Sequence, residues 1–401
     1  MRDQAFAIYI CFFLAEAGRA IHFVTVTWMI YYETEDPLVL GSLVGFGFLP
    51  SVLLIPWIGV IVDRWIRKRL VIIALLTSSG GMAVFLGVIL LDHMQIGWII
   101  GCHMLIQVAG SLFRPAIQAF VAEQFQVKEL PVIYSRSSAL GILGGLLGAT
   151  AGGLMTGYLG VVVSAMVAAC CFLAAVIVIQ KLRENNGERK GIPTSEAAWR
   201  SLFNGFLYVS RDRLMIPLLV FMFHGQLVFH TSIGFLAAYT MEVLQQSAIV
   251  HGWLDATIAL GGAAAGMAGA WWWRQAKHHV VTHSFFIIVL GLTIVFFSSS
   301  FYSAMIGLFL IGAGTTWVRV LLQSVQQMAT DRAYHGRLAS LRMLLNQGAV
   351  TISAPVFGFV AAQAGVEFIY GILTVPVVFC IVYGWVLSRK QRFKRLIEMA
   401  A

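Results

Sequence analysis

The sequence predicts an all-α membrane protein with twelve transmembrane helices, arranged as two pseudo-symmetric six-helix bundles. Three observations lead to this fold class. The composition is 59% hydrophobic and only 11% charged, whereas soluble domains average roughly 25% charged residues. The apolar residues fall into long uninterrupted runs, and the basic residues alternate between successive connections. We therefore expect the lipid bilayer, rather than water, to surround most of the chain.

Each predicted span is an apolar run of roughly 18 residues or more, the length that a helix needs to cross the hydrocarbon core. The spans lie near residues 5–31, 40–62, 70–91, 96–122, 138–159, 161–180, 213–240, 247–272, 281–300, 303–328, 341–364 and 367–388. Because their number is even, both termini are expected on the same side of the membrane.

The distribution of Lys and Arg predicts which side that is. Basic residues are retained in short cytoplasmic loops, and here they concentrate in the even-numbered connections and in the C-terminal tail. The second connection holds Arg64, Arg67, Lys68 and Arg69. Odd-numbered connections, such as 33–36, 92–95 and 242–246, hold no Lys or Arg. We therefore predict a multi-pass protein of the cytoplasmic membrane with both termini cytoplasmic, whose net charge of +9 needs no nucleic-acid partner.

The motifs that the sequence lacks argue against several other functions. No Walker A motif is present, so ATP is not expected to drive the protein, and no HExxH or GxSxG motif supports an enzyme. All five cysteines fall within predicted spans without CxxC spacing, so we expect no disulfide, no metal site and no cofactor. The first span is long and interrupted by polar residues, unlike a cleaved signal peptide, and should remain in the mature protein.

One long polar stretch divides the chain into an N-terminal bundle at 1–180 and a C-terminal bundle at 213–401, joined by a cytoplasmic linker at 181–212. The two halves share identities at one fixed offset of 207 residues. The matched pairs are Gly18 and Gly225, Tyr32 and Tyr239, Glu35 and Glu242, Gly45 and Gly252, Gly59 and Gly266, and Arg67 and Arg274. Such a duplication predicts two halves around a central cavity whose ends open alternately, the geometry of a transporter.

Within the linker, four large apolar residues recur at helical spacing. They are Trp199, Leu202, Phe203 and Phe206. The pattern predicts an amphipathic helix that lies in the membrane interface and serves as a scaffold.

The second connection reads GVIVDRWIRKR from Gly59 to Arg69, and here the chain resembles the major facilitator superfamily. That family's loop signature has a Gly, an Asp-Arg pair four residues on, and then a basic pair. The matching residues are Gly59, Asp63, Arg64 and Arg67, with Ile66 where the family usually has Gly. The resemblance implies that Asp63 latches the outward-facing state, with Arg337 or Arg342 as its partner. The alternative is a stop-transfer cluster that only fixes topology.

The fifth span contains a second such segment, GGLLGATAGG at 144–153. It resembles the antiporter motif of the family's exporters, except that Ala149 stands where Pro is expected. Gly144, Gly148 and Gly152 are spaced four apart, which lets two helices approach closely. The segment indicates either an exporter hinge that prevents leakage or a plain packing seam.

Further segments are similar to the twelve-span drug and siderophore exporters of the macrolide-efflux type. They are PAIQA at 115–119, the stretch 199–213 before the seventh span, and GRLAS at 336–340. This resemblance covers nearly the whole chain. It implies export, but it does not name a cargo.

Three arginines lie at membrane depth rather than in cytoplasmic positions: Arg19, Arg114 and Arg319. A charged group there costs on the order of several kcal/mol unless it faces a wet cavity or a partner. In the first span, Glu16 and His22 lie three residues on either side of Arg19, on one helix face. Because guanidinium groups hold carboxylates with paired hydrogen bonds, we expect these arginines to bind an anionic group of the substrate. The alternative is that they only tether helices.

Proton coupling needs a group that can bind and release a proton. The buried carboxylates Glu16 and Asp255 can do so, and we favour Glu16 as the proton carrier, with Asp255 second. The histidines at membrane depth also titrate near neutrality and either couple protons, bind substrate or only pack helices. They are His22, His103, His224 and His230. We expect His22, His230 and Trp28 to contact the substrate.

Together these features predict a secondary transporter, not an enzyme, that exports an amphipathic, anion-bearing small molecule by proton-coupled alternating access. A drug, a siderophore or a metallophore would fit. The alternatives are an importer of an organic anion and a non-transporting membrane receptor on the same fold. The expected partners are the small-molecule substrate, protons and the lipid bilayer, and the chain is expected to act as a monomer.

Overall fold

The computed structural model describes residues 2–91, 95–126, 129–182, 198–212, 214–330 and 334–398, and within these ranges the chain is helical, without β-strands. The helices are α1 (Arg2–Thr34), α2 (Pro37–Arg64), α3 (Arg67–Leu90), α4 (Ile96–Gln124), α5 (Leu130–Tyr158), α6 (Gly160–Gln180), α7 (Ala198–Arg211), α8 (Met215–Gly234), α9 (Leu236–Ala238), α10 (Ala248–Met267), α11 (Gly269–Ala276), α12 (Val280–Phe297), α13 (Phe301–Met328), α14 (His335–Ala364), α15 (Glu367–Ser388) and α16 (Gln391–Glu398). A π-helical turn, Tyr239–Val243, follows α9, and a 3₁₀ turn, Lys277–His279, follows α11.

Among the described residues, twelve helical segments are long and apolar enough to cross a membrane, which confirms the predicted number of spans. Helices suit this role because every backbone hydrogen bond is made within the segment. The largest difference in span ends is at the ninth span, which was expected at 281–300 but is formed by Gly269–Phe297. The chain breaks at Ala268, between α10 and α11. Hydropathy did not locate this break because apolar residues lie on both sides of it.

The chain divides into two compact units, and the first contains Met1–Glu35, Ser42–Ala198 and Ser247–Ala256. In unit 1, α1 packs against α5 and α6, and α3 packs against α4 and α6. The predicted bundle boundaries, which follow the polar linker, do not include the first part of α10 in this half. That segment packs with unit 1 because Gly153 of α5 allows a close approach: a Cβ built there would lie 2.5 Å from Gly252 Cα.

The glycine-rich segment of α5 lies along its contact with α1. A Cβ built on Gly148 would lie 2.6 Å from the carbonyl oxygen of Ala17, closer than real Cβ atoms approach backbone. Gly144 and Gly152 lie on the same face of α5, against Phe13 and Ile21. Small residues therefore bring the two backbones together here, and the role of an exporter hinge stays a prediction.

Unit 2 contains Asp36–Gly41, Trp199–Gln246 and Thr257–Ala401. Within it, α12 packs against α13 and α15, and α8 packs against α13 and α14. The linker helix α7 buries Val209 in an apolar cluster with Met215, Leu219, Leu338 and Leu341.

The outer side of α7 is also apolar, since Phe203 and Phe206 are 66% and 59% exposed. The side chains of Trp199 and Leu202, which belong to the same predicted stripe, lie outside the described residues. A helix with one side packed on the protein and large apolar side chains exposed suits the membrane interface. That location stays a prediction.

The C-terminal helix α16 forms a bidentate ion pair with the end of the linker. Arg392 donates two hydrogen bonds to the Asp212 carboxylate, at 2.7 and 2.8 Å. This hydrogen bonding raises the pKa of Arg392. The two hydrogen bonds join α16 to the end of the linker within unit 2.

Candidate functional site

In unit 1, one carboxylate accepts hydrogen bonds from two arginines. Glu16 of α1 is only 11% exposed, and its Oε2 accepts from Arg19 Nε at 3.0 Å. Its Oε1 accepts from Arg114 Nη2 of α4 at 2.9 Å. The two arginine side chains are 42% and 58% exposed. The structure thus brings together three of the residues predicted for substrate binding and proton coupling, and we call them the Glu16 triad.

The triad forms because small residues leave room around it. Arg19 is one turn from Glu16 on α1, so helix periodicity alone aligns them. A Cβ on Gly110 of α4 would lie 3.9 Å from Arg19 Cδ, and one on Gly141 of α5 would lie 3.5 Å from Glu16 Cγ. Beside the triad is a cavity of about 20 Å³, which is room for roughly one water molecule. It is lined by Ala15, Glu16, Arg19, Leu75, Ser78, Ile106, Gly110, Phe113, Arg114 and Phe172.

The charges of the triad do not cancel. Two guanidinium groups face one carboxylate, which leaves a formal charge of +1 on the three residues. Asp255, partly buried on α10 in the same unit, interacts electrostatically with Arg19. The more exposed Arg114 has donors beyond the one that Glu16 uses, since a guanidinium carries five N–H groups. This arrangement can accept a further anionic group.

Two histidines form a second polar contact in unit 1. His22 Nε2 and His103 Nδ1 are 3.0 Å apart, and the rings stack with centroids 5.3 Å apart. Both side chains are buried, at 1% and 0% exposure. Gly47 of α2 makes space for this contact, because a Cβ there would lie 2.6 Å from His103 Nε2. We call these two residues the histidine pair.

A third histidine, which the sequence analysis did not single out, lies on the part of α10 that belongs to unit 1. His251 is 1% exposed, stacks on Trp28 with ring centroids 5.7 Å apart and lies 3.5 Å from Thr27 Oγ1. Trp28 is itself only 9% exposed, so it packs within unit 1 in this conformation. Its predicted role in substrate contact is not tested by this packing. The sequence feature that could have pointed to His251 is its position four residues before Asp255 in an apolar span.

The remaining predicted substrate residues lie in unit 2. The Arg319 guanidinium carbon is 6.0 Å from the centroid of the Phe229 ring, a contact in the range of cation–π attraction. His230 is adjacent to Phe229 and its side chain is half-buried. His224 is also half-buried, and its Nδ1 bonds to the carbonyl oxygen of Val220 on its own helix at 2.8 Å.

The residues of the predicted latch are described only in part. Gly59 and Arg64 lie in the last turns of α2, and the side chain of Asp63 is outside the described residues. Arg67 forms an ion pair with Glu123 of α4. In unit 2, Arg337 stacks on Tyr334 at 5.1 Å.

Arg342, the other predicted partner of the latch, donates to Gln326 Oε1 at 3.0 Å. The latch therefore stays a prediction.

Over the described ranges, no group of three or more His, Cys, Asp or Glu side chains is arranged to hold a metal ion.

Comparisons with known proteins place these features in a family context. The sequence profile of the Major Facilitator Superfamily matches residues 8–272, whereas a search of curated proteins found no match. Among solved structures, the chain is similar to the nucleoside transporter NupG, with 12% identity and a TM-score of 0.77 over 97% of this chain and 100% of that one.

Two further structures give comparable values. A bacterial homolog of the human lysosomal transporter Spinster, inward-facing and unoccupied, shares 14% identity with a TM-score of 0.76 over 96% of both chains. A mutant of the peptide transporter POT shares 15% identity with a TM-score of 0.76 over 98% of this chain and 95% of that one. At these identities the similarity shows the fold alone, and it confirms the predicted fold class.

Proposed function

Because the chain belongs to the Major Facilitator Superfamily, we propose that this multi-pass membrane protein is a proton-coupled secondary exporter of an amphipathic small molecule that carries a carboxylate or a similar anion. It acts in the cytoplasmic membrane with both termini cytoplasmic, by alternating access and without enzymatic chemistry. The observation that carries this proposal is the Glu16 triad, which holds more positive than negative charge beside a cavity.

The substrate anion competes with Glu16 for Arg114. Arg114 is the most exposed member of the triad, at 58%, and a guanidinium fork can bind an incoming carboxylate with two parallel hydrogen bonds. In this conformation the cavity, whose lining includes Phe113 and Phe172, has room for about one water molecule, so an amphipathic molecule would enter only after the surrounding helices separate. Arg319, Trp28, His22 and His230 stay predicted further contacts of the substrate.

Coupling follows from this competition. Glu16 is buried, and keeping a buried carboxylate ionised costs too much free energy unless a cation lies nearby. When the substrate takes Arg114, Glu16 keeps only Arg19, and proton binding becomes more favourable. The anion and the proton therefore promote each other's binding at the triad, a linkage that by itself would carry both in the same direction, as in an importer. Export against the proton gradient requires that the substrate-bound state and the protonated state reorient separately. Asp255, which also interacts with Arg19, is the second carboxylate that can take this part.

Export rests on the resemblance of the fifth span to an antiporter motif and on the macrolide-efflux-type segments. A drug, a siderophore or a metallophore with an acidic group would fit the triad. The similar structures are named as nucleoside, Spinster-type and peptide transporters, and so they do not indicate one cargo. An importer of an organic anion is the second candidate, because the same triad would suit it equally well.

The proposal is tested by transport into vesicles of defined orientation. Purified protein in proteoliposomes is given an imposed pH gradient and a panel of amphipathic carboxylates, such as salicylate and cholate, alongside their uncharged methyl esters. We expect saturable, gradient-driven movement of the acids toward the acidic, extracellular-side compartment. Arg114→Ala should lower it at least about tenfold.

Arg136→Ala is the matched control, since it removes an exposed arginine of α5 that is not part of the triad, and it should leave transport unchanged. Equal transport of acids and esters would refute anion recognition. Movement of the acids together with protons into the cytoplasmic-side compartment would favour the importer.

A further inference from the structure

The histidine pair has an arrangement that a purely structural contact does not require. Two of its four ring nitrogens share one hydrogen bond of 3.0 Å. Among the described residues, the two outer nitrogens, His22 Nδ1 and His103 Nε2, are buried and have no hydrogen-bond partner. In a neutral pair, one outer nitrogen carries a hydrogen and the other an unused lone pair. Leaving such groups buried and unpaired is costly.

We propose that the histidine pair is a second proton-binding site of the transport cycle, separate from the Glu16 triad. A proton from water binds the outer nitrogen that has the free lone pair. The pair then holds three hydrogens on four nitrogens, and the inner one is shared between the rings. Loss of a hydrogen from the opposite outer nitrogen returns the neutral pair with the inner hydrogen on the other ring. The proton thus enters at one ring and leaves at the other.

The surroundings leave the pair isolated from other titratable groups on most sides. Helices α2, α3 and α5 carry no titratable side chain over 42–62, 71–90 and 137–157, and α6 carries only two thiols, Cys170 and Cys171. Phe85 of α3 contacts the His22 ring edge to face, with centroids 6.1 Å apart. On these four helices, over the stretches named, the pair therefore meets no carboxylate, lysine or arginine.

The charged groups that can act on the pair lie on its own two helices and on α10. On α1, Arg19 and Glu16 are one and two turns before His22. On α4, Arg114 follows His103 by three turns, with the thiol of Cys102 next to His103. On α10, Asp255 interacts with Arg19, and His251 stacks on Trp28. Because Arg19 contacts Glu16 and lies one turn from His22, proton binding at either site alters the field at the other.

The site can be tested without knowing the substrate. Protein labelled with ¹⁵N at its ten histidines is placed in lipid nanodiscs, and the ring signals are followed between about pH 8 and pH 5. We expect the His22 and His103 signals to move together and to report one proton gained by two rings. His103→Gln, which keeps a hydrogen-bonding side chain, should abolish that joint change. Ring signals that stay constant over this range would overturn the proposal.

A second measurement connects the pair to transport and rests on the proposed function. With salicylate as the probe, the rate of pH-driven accumulation is divided by the rate of counterflow exchange at equal pH. We expect His103→Gln to lower this ratio about tenfold. His283→Gln, which changes an exposed histidine of α12, should leave the ratio unchanged.

An equal fall in both rates for His103→Gln, or no fall in either, would overturn a proton-binding role. Failure of the wild-type protein to move salicylate would count against the proposed function, and the ring titration would still decide the proposal for the pair.

Discussion

Glu16→Gln removes the negative charge that joins Arg19 and Arg114, while the shape of the side chain is kept. At 2.9 Å, two unit charges attract by about 6 kcal/mol at an effective dielectric constant of about 20. Desolvation of the carboxylate offsets much of this attraction, and both guanidinium groups are partly exposed, at 42% and 58%, which weakens each pair further. We expect a net loss of about 2 kcal/mol in the free energy of unfolding.

For a domain of this size, about 1 kcal/mol corresponds to about 2–4 °C in Tm, so Glu16→Gln should lower Tm by about 4–8 °C. The assay is thermal unfolding in detergent, followed by tryptophan fluorescence at one fixed scan rate. Glu33→Gln, which changes an exposed glutamate of the same helix, is the control.

Combining Glu16→Gln with Arg114→Gln isolates the pair itself. Each single variant breaks the same hydrogen bond, so the double variant should lose less than the sum of the two, by about 1 kcal/mol. If the two losses simply add, or if Glu16→Gln behaves like the Glu33 control, the triad does not hold α1 and α4 together energetically.

Three further outcomes follow from packing, surface charge and topology. Gly148→Ala should lower the free energy of unfolding by about 1–3 kcal/mol, because its Cβ would lie 2.6 Å from the carbonyl oxygen of Ala17. Gly145→Ala, whose Cβ would have nothing within 4 Å, should not lower it. Equal thermal midpoints for the two variants would contradict the close packing of α5 on α1. Arg392→Lys keeps the charge but loses the fork on Asp212, and since Arg392 is 59% exposed, the loss measured by thermal unfolding should stay below about 1 kcal/mol. A protease site at the C-terminus should be cut in inverted vesicles and protected in intact spheroplasts, and cutting in the spheroplasts would reverse the predicted topology.

The twelve spans could be predicted because the bilayer imposes a length and an apolar composition on each helix separately. The observed helix ends differ most from the predicted span ends where local hydropathy gives no signal. The break at Ala268 lies between apolar residues, so composition did not reveal it. The predicted bundle boundaries stay a prediction, and the part of α10 that packs with unit 1 does so through a close approach of two glycines.

The candidate site was predictable in its residue types but not in its pairing. Arg19 and Arg114 were singled out because charge at membrane depth is expensive, and the Glu16–Arg19 contact follows from helical spacing within α1. That Arg114, 98 residues away, completes the triad was not readable from the sequence.

By itself, the sequence determined the number of spans, the membrane class of the protein and the identity of its costly polar residues, because each of these depends on one helix and its solvent. Only the tertiary structure decided that Glu16 binds Arg114 and that His22 meets His103, 81 residues later. These contacts depend on how small residues let particular helices pack side by side. Such packing is a property of several distant segments at once, and no single segment encodes it.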